Sequence, residues 1–245
     1  PAERLRILGR SGKVRTFVHE LVRTYYLQHA KTRREELHER FSDCLRLLHS
    51  GDYARREEHL RRSGNLRAAN EVFVLDCLRA GRAGLLSTLG TLNPERDADL
   101  ASFVLRMSNA QAAFDAGRYV EAIEHLIGIE GIYPDSLMAE RDILMARSHI
   151  KLLSYAHRQE AKSLLSRWGH LKDIEFEIWG RATLYLSVAC VFLGDEQSAA
   201  AAERTLYAAL AIRLHFDPTA RCTLNHVRLV GSGNSGARVP ESLAT

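Results

Sequence analysis

The sequence predicts an all-α protein, an α-solenoid of stacked helical hairpins. Three observations carry that expectation. Alanine, leucine, arginine and glutamate dominate the 245 residues, with only 5 prolines to interrupt them, a composition that favours helix. Apolar residues recur at spacings of three and four, as Leu37, Phe41, Cys44, Leu45 and Leu48 do, which places them on one helical face. A phrase also recurs: a helix, a small or polar turn, then a second helix with an alanine near its start. Ala69, Ala122, Ala161 and Ala199 lie 53, 39 and 38 residues apart, and repeats of about 34 to 45 residues built from helix pairs stack into solenoids. The alanine has a physical reason, because helices whose axes approach to about 8–10 Å need a small side chain at the crossing.

The elements follow in order. Residues 1–18 are the least helical, and Val14 to Val18 read as a short strand after a turn. HELVRTYYLQHA and KTRREELHERFSDCLRLLHS read as two helices, the second ended by Ser50-Gly51-Asp52. DYARREEHLRRSGNLRAANEVFVLDCLRAG splits at Ser63-Gly64-Asn65 into two helices. Asn93-Pro94 reads as the start of the next, with proline early and acids in its first turns, and Gly117 as its end. The interval from Ala69 to Ala122 leaves room for an extra element around residues 82–100. From Asp217-Pro218 the pattern fades into a Gly/Ser-rich segment, read as a tail or linker. The expected organisation is 1–50, the end of a small leading domain; 51–220, helical repeats; and 221–245, a flexible tail.

FDAGRYVEAIEHLIGIEGIYP, Phe114 to Pro134, holds Ala122 with a proline twelve residues later, and Tyr119 and Leu126 at packing positions. It resembles a tetratricopeptide repeat, degenerate in its first helix, where Ala110 and Ala113 replace the usual glycine and tyrosine. That resemblance implies a right-handed α-solenoid of tetratricopeptide-like hairpins, with a recognition face made mostly by the first helix of each pair.

The leading third carries a second resemblance. Phe17, His19, Leu21, Val22 and Arg23, then Arg34, Leu37, His38 and Arg40, then His59, Leu60, Ser63, Gly64, Asn65, Ala68 and Ala69 are similar to the junction after the nucleotide-binding core of STAND-type signalling ATPases. These include maltose-regulator and LuxR-like ATPases. The resemblance implies a short winged-helix remnant at the N-terminus. It also implies a sensor array that biases an ATPase lying outside this chain between closed and open states.

Catalytic motifs fail on spacing. GRSGKV at 9–14 has Ile7 and Val14 where a phosphate loop needs glycine and Ser or Thr. Gly231, Gly233 and Gly236 form GxGxxG without a βαβ unit before them. Glu35 and His38 make a single ExxH pair, where a di-metal bundle needs two and further glutamates. His19, His38 and His59 read as junction residues with one ring nitrogen bonded to backbone. The cysteines Cys44, Cys77, Cys190 and Cys222 lack any CxxC spacing and read as buried free thiols in a reducing compartment.

Residues 1–67 hold 16 Lys+Arg against 9 Asp+Glu. This basic stretch is open to nucleic acid or to an acidic neighbour, but acids alternate with the bases, as on a solvated helix. No run of about 18 uncharged apolar residues predicts a membrane span, and PAERLRILGR lacks a signal-peptide core, so a cytoplasmic place is expected.

Trp168, Trp179, Tyr185 and Phe192 fit core packing better than a groove. The ligand- or partner-binding candidates are Arg147, Tyr155, Trp179, Arg181 and Tyr185. No catalytic residue, metal or cofactor is called for. The expected role is the ligand- or protein-binding sensor and scaffold region of a larger STAND-type ATPase, in transcription control or antiviral defence. The alternatives are a free-standing tetratricopeptide adaptor binding a partner protein, and nucleic-acid binding through the basic N-terminal quarter.

Overall fold

The computed structural model describes residues 8–11, 14–17, 34–48, 51–79, 89–93, 95, 97–169 and 174–213. Two strands, β1 (Leu8–Ser11) and β2 (Val14–Phe17), pair antiparallel with Leu8 opposite Phe17 and Ser11 opposite Val14. The strand expected over Val14–Val18 is therefore one arm of a hairpin. The described residues of GRSGKV, 9–11 and Val14, belong to these two paired strands, whereas a phosphate loop joins a strand to a helix. The helix expected at HELVRTYYLQHA and the tail over 221–245 lie outside the described residues.

Nine helices follow among the described residues. They are α1 (Arg34–Leu48), α2 (Tyr53–Arg62), α3 (Leu66–Arg79), α4 (Ala98–Asp115), α5 (Tyr119–Ile127), α6 (Asp135–Lys151), α7 (Tyr155–Ser166), α8 (Phe176–Phe192) and α9 (Glu196–Arg213). Four antiparallel pairs form: α2 with α3, α4 with α5, α6 with α7, and α8 with α9. Successive pairs touch through α4–α6, α5–α6, α6–α8 and α7–α8, and α6 also meets α3. This is the packing of a helical-hairpin repeat, in which neither face of a pair can be buried alone.

The turns inside three of the four pairs use one device. Gly64, Gly117 and Gly194 have φ of +81°, +76° and +74°. The residue after each donates its N–H five residues back: Asn65 to Leu60 at 3.0 Å, Arg118 to Ala113 at 2.8 Å, Asp195 to Cys190 at 2.9 Å. These left-handed closures satisfy carbonyls that a helix end leaves open. The third turn departs, because Leu153 holds φ +61° without glycine's freedom. Side chains then cap the next helix. The Asn65 Oδ1 accepts from Ala68 N at 3.2 Å, the Ser154 Oγ from His157 N at 3.2 Å and the Asp195 Oδ1 from Ser198 N at 3.1 Å.

The four aligned alanines are buried, Ala69, Ala122 and Ala161 fully. Their register needs one correction. Ala69, Ala122 and Ala199 each lie five residues after the left-handed turn residue, but in the third pair that place belongs to Arg158. Ala161 sits three residues later, on the same face of α7. The Arg158 side chain reaches instead to α8, lying over the Phe192 ring at 5.1 Å and donating to the Phe192 carbonyl at 2.9 Å.

Two further expectations shift. The fourth helix begins at Ala98, not at Asn93-Pro94. Asp97 is fully buried, and its Oδ2 accepts from Asn93 N at 3.2 Å and Asn70 Nδ2 at 2.9 Å, so the carboxylate fixes the chain ahead of the helix. The apolar stripe of α1 is not core, since Leu37 and Phe41 are exposed and Ser42 is buried. Among the described elements α1 packs chiefly on α2, so it has one neighbour to bury against. Of the thiols, Cys77 and Cys190 are buried as expected and Cys44 is exposed.

The core runs through all four pairs, with Phe103, Leu126, Leu137, Leu165, Phe176, Ile178, Trp179, Leu206 and Leu210 fully enclosed. Helix α6 is buried nearly all round, from Leu137 to Ile150, as expected of a helix surrounded by others. No described helix is long and apolar enough to cross a membrane.

Candidate functional site

Three helices, each the first of its pair, meet along one groove. Phe114 comes from the end of α4; Arg147, Ile150 and Lys151 from α6; and Tyr185, Val188 and Phe192 from α8. The residues from α6 and from α8 each recur at spacings of three and four, so each set shares one helical face. The groove encloses about 430 Å³, within the range of small-ligand clefts.

Arg147 is its polar centre. Its Cζ lies 4.5 Å from the Phe114 ring centroid and 5.5 Å from that of Tyr185. It is half-buried, and no described carboxylate lies within ion-pair distance. Many arginines elsewhere are paired, Arg40 with Glu36 at 2.5 Å, Arg61 with Glu57 at 2.7 Å, Arg67 with Asp99 at 2.7 Å and Arg118 with Glu121 at 2.6 Å, whereas Arg147 shares its lack of an ion pair among the described residues with Arg46, Arg106, Arg158 and Arg204. Lys151, one turn beyond Arg147, is likewise without a described partner. The guanidinium thus sits over two aromatic rings, a favourable cation–π placement, and its N–H donors lie in the guanidinium plane.

Of the five residues singled out in the sequence, the structure brings Arg147 and Tyr185 together here. Tyr155 lies outside, exposed at the start of α7, where its hydroxyl accepts from Gln159 Nε2 at 2.9 Å. Trp179 is 1% exposed and packs on Phe176 with ring centroids 5.5 Å apart, so it is core. Arg181 is bound to Glu140, with Nη1 donating to Oε2 at 3.1 Å. Phe114, Ile150, Lys151 and Val188 are not among the sequence candidates, although the helical spacing about Arg147 and Tyr185 marks all of them but Phe114, and Phe192, read from the sequence as core, lines the groove with an exposed ring.

A second polar cluster joins α2, α6 and α8. Arg56 donates to Glu175 Oε1 at 2.9 Å, and both side chains are almost fully enclosed. The other Glu175 oxygen accepts from Ser136 Oγ. Tyr53 is buried beside them. Burial first, and then the carboxylates of Glu175, Glu177 and Glu140, push its phenol pKa well above the ordinary value. Burial opposes the charge of Arg181, yet the Glu140 carboxylate holds its pKa above the usual guanidinium range. These contacts tie α2, α6 and the start of α8 together, while Arg56 Nε and Arg181 Nε stay buried without an acceptor among the described residues.

The histidines bond to each other, not to backbone. His38 Nδ1 faces His59 Nδ1 at 2.8 Å, with Phe41 stacked on His59. His149 Nδ1 faces His157 Nδ1 at 2.9 Å. One nitrogen of each pair must donate and the other accept. Burial, then His157, lowers the His149 pKa below its usual value, opposed by Glu160. His19 lies outside the described residues. No group of three or more metal-ligating side chains forms among the described residues. No family model, curated protein or solved structure matches this chain.

Proposed function

We propose that the chain is the ligand- or partner-binding sensor and scaffold region of a STAND-type signalling ATPase, regulatory in role and without catalysis of its own. The observation that carries this is the Arg147 groove, built by the first helices of three successive hairpins and holding a half-buried, unneutralised cation. The right-handed solenoid sense and the winged-helix remnant belong to the same reading. It is supported by the α2–α3 hairpin, whose Ser63-Gly64-Asn65 turn and buried Ala69 occupy the positions of the family-like motif. A ligand in the groove touches α4, α6 and α8 together. It therefore favours one arrangement of these helices over another, which is what a sensor requires.

A free-standing adaptor uses the same groove and is the second reading. The codons upstream of Pro1 separate the two: a nucleotide-binding core encoded there supports the sensor, and a start codon the adaptor. The absence of catalysis is tested by incubating the purified chain with MgATP. No phosphate release above buffer is expected, and release at the rate of a turning-over ATPase contradicts the reading. Several described arginines of the basic N-terminal quarter pair with carboxylates one turn away, Arg40 with Glu36, Arg61 with Glu57 and Arg62 with Glu58, and Arg56 with the buried Glu175, which reduces the free charge available to a phosphate backbone.

A further inference from the structure

We infer that the groove selects a small amphipathic anion, a carboxylate on an aromatic or alkyl body. This rests on the reading of the groove as a binding site and adds the chemical class of its ligand. The floor and walls are apolar or aromatic: Phe114, Ile150, Tyr185, Val188 and Phe192. A hydrophilic ligand such as a sugar would leave most of its hydroxyls facing these groups unpaired, whereas an apolar body loses nothing there. Among the described residues lining the groove, the charged side chains are both cationic, Arg147 and Lys151.

Arg147 is prepared for a planar anion. The guanidinium lies over the rings of Phe114, at 4.5 Å, and Tyr185, at 5.5 Å, and these contacts restrict its rotamers, so less freedom is lost when a ligand arrives. The edge donors have no described acceptor, and their fork matches a carboxylate in two parallel hydrogen bonds. A cation half-removed from water in an apolar groove attracts an opposite charge more strongly than an exposed one does. Lys151, one turn on along α6, supplies a second positive charge at the exposed rim. The volume of about 430 Å³ accommodates a free acid whole, whereas a peptide would place only one side chain in it.

The test is ligand-observed NMR on the full chain with matched fragments: benzoate, indole-3-acetate and octanoate, each beside its neutral amide, and an acidic peptide, acetyl-Glu-Phe-Glu-amide. The acids are expected to bind about tenfold or more tighter than their amides. Their affinity should fall with added salt, and Arg147→Met, which keeps an apolar stem beside the rings, should abolish the preference. Circular dichroism melts of the variant separate lost binding from lost folding, and Lys151→Met, at an exposed position, gives an independent and smaller loss. Equal binding of acids and amides overturns the anion inference and leaves the groove as a binding site. Binding by the peptide alone overturns the small-molecule assignment. No binding by any probe overturns both the inference and the groove.

Discussion

Gly117 and Leu153 occupy equivalent turn positions and show what a single residue contributes. A Cβ at Gly117 would meet nothing within 4 Å, so Gly117→Ala adds only the backbone cost of the left-handed region, about 1 kcal/mol. Leu153 already bears that cost with an exposed side chain, so Leu153→Gly should leave stability unchanged or raise it by about 0.5 kcal/mol. Urea unfolding of the two variants checks the opposite signs. At His149 the folded state keeps the imidazole neutral below its ordinary range, through burial and then His157. The unfolded chain takes up a proton near pH 6.5. The folded pKa is therefore the lower one. Stability from this site is complete above about pH 6.5 and is lost as the pH falls. The melting temperature of His149→Gln should fall less between pH 7 and pH 5.5 than that of the unsubstituted protein; an equal fall removes the histidine pair from the account.

At the scale of elements, the hairpins were legible in the sequence and their junctions were not. Ser63-Gly64-Asn65 and Gly117 mark turns by local chemistry, because only a left-handed residue closes those helix ends. The start of α4 was misplaced because the deciding group is Asp97, whose carboxylate reaches Asn70 in a different helix. Ala161 was matched to the wrong turn of α7 because a small buried residue stands one turn after Arg158, and spacing alone cannot distinguish two places on one face. The Arg56–Glu175 pair joins residues 119 apart in sequence and has no local signature. It supports a sharp prediction. Arg56→Ala leaves Glu175 enclosed without its counter-charge and should cost about 3–5 kcal/mol, while Arg56→Met with Glu175→Gln should recover much of that loss. Equilibrium unfolding of the single and double variants measures it, and a single variant within 1 kcal/mol of the parent would mean that the junction does not depend on the pair.

Across the whole molecule, four helix pairs share one continuous core, and α6 is the member that touches most of the others. The groove is a property of that stacking, since Phe114, Arg147 and Tyr185 lie 33 and 38 residues apart and meet only when three pairs are in register. This is why the sequence could nominate Arg147 and Tyr185 yet group them with Trp179, which the core claims, and with Tyr155, which lies outside the groove. The measurement that tests the account most directly is an amide and methyl shift map of the isotope-labelled chain on titration with indole-3-acetate. The account predicts shifts concentrated on Phe114, Arg147, Ile150, Tyr185, Val188 and Phe192 and lost in Arg147→Met. Shifts concentrated on α2 and α3, or none at saturating acid, would contradict it.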